Sequence, residues 1–575
     1  MPVAASMHGP RTVNGIMDQQ KRFVLAMAIS GVLVLIWQYF FAPPPVTNPP
    51  GENNAAVVKQ EGGEKKGDTT KGGGDTTAGG DSAKKGADEK PLPKVEAKKV
   101  EVSKQEIITP KFKLGLTNAN GGRITSIELL DPEQYQKAGD LLAEFPEDSK
   151  DYPFGVKFDK NSLNVPADAT FEVVTSSKTE VVYRYVDPNG RFQLNKSFKV
   201  NEKHPFLLDF NIDIINRSST DSITDKMVLE ITGYQDPEKE KSFLDFRPDE
   251  IEAICRLEGD TERELYSAME EIQTFDGVLK WGGINTRYFM WSVVPEKAAE
   301  RCVMEKSKGL LTTRLTWDDF SIAPGATHTY KQQLFAGVKD LDVLSAVGSD
   351  LSESVDYGIL TILAKPMRWM LNLFHSWVGN WGLAIILLTL LIKLATWPFT
   401  EKSYANAERM KEIQPKLDEL RSKYENDQQR LAEETMKLFK ENSFNPLGGC
   451  FPMILQMPIL YGLYVMIINS VELYHAEFFL WYTDLSARDP YFVLPIMMGA
   501  LMFAQQQFMT PTSTNPQQAQ TQAMMKFMPI MFTAFMLFLP SGLVLYYSLN
   551  LVLGILQQYL IRRKFARRRE KAAAA

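Results

Sequence analysis

The chain has 575 residues, enough for two or three domains, of which 23% are charged, with a formal net charge of −6. Mean hydropathy is −0.20, so most of the chain lies outside any membrane. So small a net charge argues against general nucleic-acid binding. Three cysteines, Cys255, Cys302 and Cys450, cannot build a disulfide scaffold.

In chain order, residues 1–22 form a short N-terminal segment in which Met17 is as good a start as Met1. The first apolar stretch, residues 23–41, follows Lys21-Arg22 and ends in Trp37-Gln-Tyr-Phe-Phe41. That is about the 20 residues a bilayer requires. Its aromatic end stands where a signal peptide would carry a small-residue cleavage site. The expectation is an uncleaved signal anchor with residues 1–22 in the cytoplasm. Residues 42–105 are rich in Gly, Lys, Asp, Thr and Pro and have almost no large apolar side chains, so they read as a disordered linker. A phosphate-loop-like glycine spacing at Gly62–Thr69 falls in this linker and lacks the lysine such a loop needs.

From residue 106 to 340 the pattern alternates with period two, as in Glu180-Val-Val-Tyr-Arg-Tyr-Val186 and Arg191-Phe-Gln-Leu-Asn-Lys-Ser-Phe-Lys-Val200, with turn signals such as Asp187-Pro-Asn-Gly190 between runs. So many short strands predict a large antiparallel β-sandwich, placed outside the cytoplasm by the preceding anchor. Cys255 and Cys302 share this domain, which leaves a bridge between them open. Residues 355–377 are amphipathic: Lys365, Arg368 and His375 interrupt them, and Pro366 is expected to break the run. They read as a helix lying on the outer membrane surface.

Five apolar stretches follow, at about 378–398, 450–470, 491–508, 524–539 and 541–561, the last two divided by Pro540-Ser-Gly542. With the anchor they make six spans. The loop at 471–490 carries one basic residue, Arg488, and four acids, Glu472, Glu477, Asp484 and Asp489; residues 401–441 carry nine Lys or Arg; the tail at 562–575 is strongly basic. The positive-inside rule then puts both termini in the cytoplasm. Residues 401–441 read as a cytoplasmic helical hairpin. Met410, Ile413, Leu417, Leu420 and Tyr424 form an apolar seam, a break falls at Asn426-Asp427, and the two arms pack together or present a partner surface.

Catalytic and metal-binding motifs are missing. His8, His204, His328, His375 and His475 have no ligand spacing, and no G-x-S-x-G occurs. The chain reads as neither an enzyme nor a cofactor protein. The unusual residues lie in the spans. Lys393 sits in an apolar run, where a cation costs roughly 2.5–3.5 kcal/mol. It shares a helix face with Thr389 and Thr396. It either snorkels past Trp397 to the headgroups or lines a polar cavity. Pro452 and Pro458 flank Gln456, and Tyr546, Asn550 and Gln557 share a face of the last span. Each polar group alone suits interhelical hydrogen bonding. Three helices presenting polar faces, one with a lysine, favour a shared hydrophilic cavity.

Four motifs, Val378-Gly-Asn-Trp-Gly382, Asn445-Pro-Leu-Gly-Gly-Cys-Phe-Pro452, Gln456-Met-Pro458 and Phe538-Leu-Pro-Ser-Gly-Leu-Val-Leu-Tyr-Tyr547, resemble the YidC/Oxa family of membrane protein insertases. The resemblance covers about residues 355–569. The anchor, linker and outer domain resemble the Gram-negative bacterial subtype of that family. It implies a polytopic α-helical membrane protein of six transmembrane helices with a large periplasmic all-β sandwich, β-supersandwich-like, in the bacterial inner membrane. It also implies a five-helix core at 378–561 with a hydrophilic groove open to cytoplasm and lipid. Its clients are nascent membrane proteins, alone or with the Sec translocon. Lys393 takes the position of a groove cation that is usually Arg, and Thr389, Gln456, Tyr546 and Tyr547 match groove positions. Thr396 and Asn550 join them by helical spacing. The hairpin and basic tail are candidate contacts for the ribosome or anionic lipid. Two other readings stay open: a small-solute transporter, which should show internal repeats, and an envelope protein whose β domain binds or acts on glycans.

Overall fold

The computed structural model describes residues 100–574 apart from 131–140, 143–144, 147–148, 161, 237–249, 426, 443, 445–450 and 510–526. The anchor, most of the linker and the Asn445–Cys450 part of one motif lie outside the described residues.

Strands account for the chain from Lys104–Ile108 to Thr327–Val338. Thirteen of the eighteen described strands form one antiparallel sheet, three form a second and two a third. Leu207–Asn216 pairs with Phe192–Val200 on one side and Thr327–Val338 on the other. Period two decides which side chains enter: Phe192, Leu194 and Phe198 are buried while Gln193, Asn195 and Ser197 face outward. The domain is therefore a large β-sandwich. Cys255 and Cys302 form a disulfide with Cα atoms 6.6 Å apart. It joins two strands, Glu252–Leu257 and Ala299–Ser307, that both pair with Gln273–Asn285.

Lys196 falls on the same inward row and is fully buried. Its ammonium donates to the carbonyls of Gly121 at 3.0 Å, Phe154 at 2.8 Å and Gly122. Gly121 and Gly122 adopt φ of 84° and 68°, and this left-handed turn brings their carbonyls inward. Burial and the nearby Arg123 push the lysine well below its ordinary range. Three acceptors satisfy the three donors that burial strips of water.

Helix α1 (Leu341–Val347) is capped by Asp340, whose carboxylate accepts from the backbone N–H of Asp342 and Val343. Helix α2 (Thr361–Val378) runs through Pro366 rather than breaking there. Proline forfeits one hydrogen bond near the helix start, a loss that packing of Ala364, Met367 and Leu371 outweighs. The motif at 378–382 is a helix stop followed by a helix start. Gly379 takes φ of 65° and its N–H caps His375 O; Asn380 then accepts from Leu383 N at 3.0 Å.

Helix α3 (Trp381–Lys423) is 43 residues long. At 1.5 Å per residue it extends about 65 Å, twice the roughly 30 Å hydrocarbon core. The expected span and the first hairpin arm are thus one unbroken helix. Helix α4 (Gln428–Glu441), capped by Asp427, returns along it. Ile413 and Leu417 bury against Leu438, with Met410, Leu420, Phe439 and Phe444 around them. Four further helices are α5 (Phe451–Asn469), α6 (Val493–Met509), α7 (Phe527–Met536) and α8 (Ser541–Ala574). Among the described residues, α3 and residues 541–567 of α8 are long and apolar enough to cross a membrane.

Candidate functional site

The outer ends of these helices are sealed by the loop at 471–490. Its acids, read above only as topology signals, are structural. Asp489 is buried and accepts from Tyr482 OH at 3.1 Å, Trp481 Nε1 at 3.3 Å, Tyr491 N at 3.0 Å and Leu494 N at 2.8 Å. Asp484 holds the turn at Ser486, while Ser541 N and Gly542 N donate to Ala487 O and Leu485 O. A side chain at Gly382 would collide with the Phe478 ring.

The same face docks the β domain. Arg368 of α2 pairs with Glu472 and lies 3.7 Å from Asp340 at the domain's end. Tyr288 and Phe289 of the sandwich pack on Tyr474, with ring centroids 4.7 and 5.8 Å apart. Burial pushes the Glu472 carboxyl up; Arg368 opposes the shift and Asp340 adds to it.

The inner halves of the helices differ in kind. Lys393 of α3 is buried, 6% exposed, and makes no hydrogen bond or ion pair among the described residues. Its ammonium lies near Gly554 of α8, so the side chain is turned into the helix bundle rather than out along the surface of α3. Thr389 and Thr396 share its face, as expected, but their hydroxyls bond back to Ile385 O at 2.7 Å and Ile392 O at 2.9 Å. Gln456 of α5 donates to the Tyr546 hydroxyl at 2.8 Å, joining α5 to α8. The Tyr547 ring packs on Phe532 at 5.2 Å. Asn550 is half-buried. Gln557 is fully buried and tied to α3, accepting from Thr400 Oγ1 at 3.0 Å and donating to Trp397 O at 3.2 Å.

Three residues were overlooked. Tyr404 stands eleven residues beyond Lys393 on the same helix face, its hydroxyl receiving the Gln505 amide of α6 at 3.5 Å. Gly554 of α8 lies opposite both. Ending the span at Pro398 hid Tyr404, although the 3.6-residue repeat carried past the proline would have found it. Gln505 and Gly554 carry no signal in sequence.

At the far end of the bundle from the β domain, Lys564 and Arg562 of α8 approach Glu401 and Glu408 of α3 at 3.2 and 3.7 Å. Part of the basic tail is thus occupied by the chain itself. The Lys564–Glu401 pair is exposed and holds weakly.

Residues 104–370 match the family described as "YidC periplasmic domain", and residues 373–569 the family described as "60Kd inner membrane protein". A membrane protein insertase YidC from Syntrophus aciditrophicus is 36% identical over 425 residues, covering 72% of this chain and 76% of that protein. One from Geobacter sulfurreducens is 33% identical over 470 residues, covering 80% and 86%. One from Geotalea daltonii is 42% identical over 291 residues, covering 50% and 54%. The β-sandwich, the apolar helices around a polar seam and these two matches end to end agree, and the chain belongs to the YidC family of inner-membrane protein insertases.

Proposed function

We propose that the chain moves polar segments of nascent membrane proteins halfway across the bilayer along the seam of Lys393, Thr389, Thr396, Gln456, Tyr546, Tyr547 and Asn550, and releases their apolar segments sideways into lipid. The observation that carries this reading is Lys393, a buried cation without a counter-ion among the described residues. A charge left unpaired in an apolar helix bundle is costly, so its retention points to a partner that arrives with the client. A carboxylate on the client is attracted more strongly there than in bulk water, because the local dielectric is lower. Release into lipid is downhill by roughly 25 cal/mol for each Å² of apolar surface buried. The potential, positive outside, adds up to about 2.3 kcal/mol per acidic charge carried across 100 mV.

In this reading the anchor at 23–41 and five core segments make six spans, with both termini and the α3–α4 hairpin in the cytoplasm and the β-sandwich in the periplasm. The charge bias of the loops supports that orientation. The sealed outer loop supports a groove closed toward the periplasm. The hairpin stands at the groove mouth, a site for a ribosome or an arriving client. The unoccupied side of the tail, including the exposed Arg563 and Arg567, suits anionic lipid or ribosomal RNA. The docked sandwich leaves the lipid-facing helices available to the Sec translocon.

The test is insertion of matched clients with zero, one and two acids in the translocated segment by Lys393→Leu. The defect should grow with the number of acids. Equal insertion of all three would remove charge attraction and leave hydration of the groove as the mechanism.

A further inference from the structure

Among the described residues, Leu480 is the most exposed large apolar side chain, at 83%. It takes φ of 62°, a left-handed backbone that a Cβ disfavours and that turns usually give to glycine or asparagine. The turn around it is nevertheless fixed. Phe478 N donates to Tyr482 O at 2.8 Å, and Thr483 N to Trp481 O at 3.1 Å. The Phe478 ring lies against Gly382, the second residue of α3, and Asn380 Nδ2 donates to Glu477 O at 3.3 Å. On the other side, Trp481 and Tyr482 are tied to the buried Asp489. Both feet of the turn are held, and Phe479 and Leu480 stand exposed at its tip.

Polarity sorts along this turn. Glu477 and Thr483 are exposed at its base, while Phe479 and Leu480 carry no polar side-chain atom. The Trp481 indole N–H and the Tyr482 hydroxyl already have an acceptor in Asp489, so an apolar medium around the rings would strand neither donor. Trp481 packs edge-on against the exposed Tyr491, with ring centroids 5.6 Å apart, and Tyr491 leads into α6. There Val493, Ile496, Met497 and Phe503 are exposed and fall on one helical face. The tip therefore continues the apolar face of α6, at the level where the apolar run of α3 begins. That continuity names what covers it: the hydrocarbon of the leaflet that both helices enter. Aromatic side chains at this level suit a membrane boundary.

We propose that the Phe478–Tyr482 turn is a lipid anchor: Phe479 and Leu480 enter the acyl chains of the outer leaflet, and the fixed feet hold the loop that seals the helix ends at that depth. The proposal rests on the reading of α3 and α6 as spans. The turn carries no Lys or Arg, so its partner is phospholipid hydrocarbon rather than an anionic headgroup. Interfacial apolar groups of this kind reach about 5–10 Å into the boundary between headgroups and chains. Lipid also accounts for the backbone at Leu480, because burial of the side chain offsets the strain of a leucine in the left-handed region.

The experiment places a single environment-sensitive fluorophore on the full chain. With Cys255 and Cys302 bonded to each other, Cys450→Ser removes the remaining thiol. Leu480→Cys, Thr483→Cys or Ile496→Cys then carries the label, in vesicles of phosphatidylcholine alone or with phosphatidylglycerol. Quenchers are nitroxides on the lipid chains and a nickel chelate in water. The label at 480 should shift to the blue, respond to a nitroxide high on the chain more than to a deep one, and escape nickel in both vesicles. The label at 483 should respond to nickel. A label at 480 that behaves like the one at 483 overturns the anchor. So does shielding from both quenchers, which would mean that protein covers the tip, or lipid quenching that requires phosphatidylglycerol. If nickel also reaches 496, the reading of α6 as a span fails with it; if 496 stays in lipid and 480 does not, only the anchor fails. A second measurement uses Leu480→Gly, which releases the backbone strain and removes the side chain. Its melting midpoint in vesicles should fall, because lost burial outweighs relieved strain; an unchanged or raised midpoint overturns the proposal.

Discussion

Replacing Arg368 with methionine should loosen the join between the β domain, α2 and the loop at 471–490. Arg368 is 7% exposed and its partner Glu472 8% exposed. Removing one member of such a buried pair costs about 3–5 kcal/mol, because the other charge loses its cationic partner in a place that burial strips of water. The groups facing the pair are Asp340, Asp342 and Tyr357. None of them can replace the cation, and Asp340 already pushes the Glu472 carboxyl upward. Without Arg368 that carboxyl rises further and can take up a proton, at about 1.4 kcal/mol per pKa unit, which caps the loss. A carboxyl raised in the folded state contributes stability below its unfolded pKa and loses it as pH rises through the folded value. The variant's deficit should therefore be largest at neutral to alkaline pH and shrink on acidification. Three kcal/mol corresponds to a melting midpoint lower by roughly 6–12 °C for a unit of core size. Tryptophan fluorescence melting of purified protein across pH measures it. Arg368→Met combined with Glu472→Met should recover most of the loss, since an apolar pair of similar volume replaces a buried ion pair at little cost. A midpoint unchanged at every pH, or a double variant as unstable as the single, would refute the reasoning.

Other outcomes follow from the same structure. Lys393→Arg should retain insertion, because it keeps the positive charge, whereas Lys393→Glu should fail on acidic clients in the same insertion assay. Deleting residues 405–440 should cut activity while leaving a folded membrane protein, since it removes the hairpin but keeps Tyr404 and the seam; normal insertion would count against a role at the groove mouth. Deleting residues 120–320 should leave insertion largely intact, because Asp340, Arg368 and Glu472 all remain; complete loss of viability at normal membrane levels would contradict it. Replacing Cys255 and Cys302 together with serine should destabilise the β domain by about 4 kcal/mol, the loop-closure figure for a separation of 47 residues, read as an earlier midpoint in denaturant.

Much of this protein is legible in one dimension because its physics is periodic. Alternation by two dictates strands and the inward rows, and long apolar runs dictate helices that water cannot accommodate. Local chemistry also suffices for the stop and start at Gly379-Asn380, where a left-handed residue and a capping side chain need only their neighbours. The face shared by Thr389, Lys393 and Thr396 follows from helical spacing alone. Tertiary structure decided the rest. Lys196 occupies an inward position that alternation assigns to an apolar residue, and only the distant carbonyls of Gly121, Gly122 and Phe154 make it tolerable there. Prolines at 366 and 398 suggested ends that packing overrode. The partners that define the groove, Gln456 with Tyr546, Thr400 with Gln557, and Tyr404 with Gln505 and Gly554, stand about 90 to 160 residues apart. No periodicity links such positions, since the geometry that joins them exists only after α3, α5, α6 and α8 have packed.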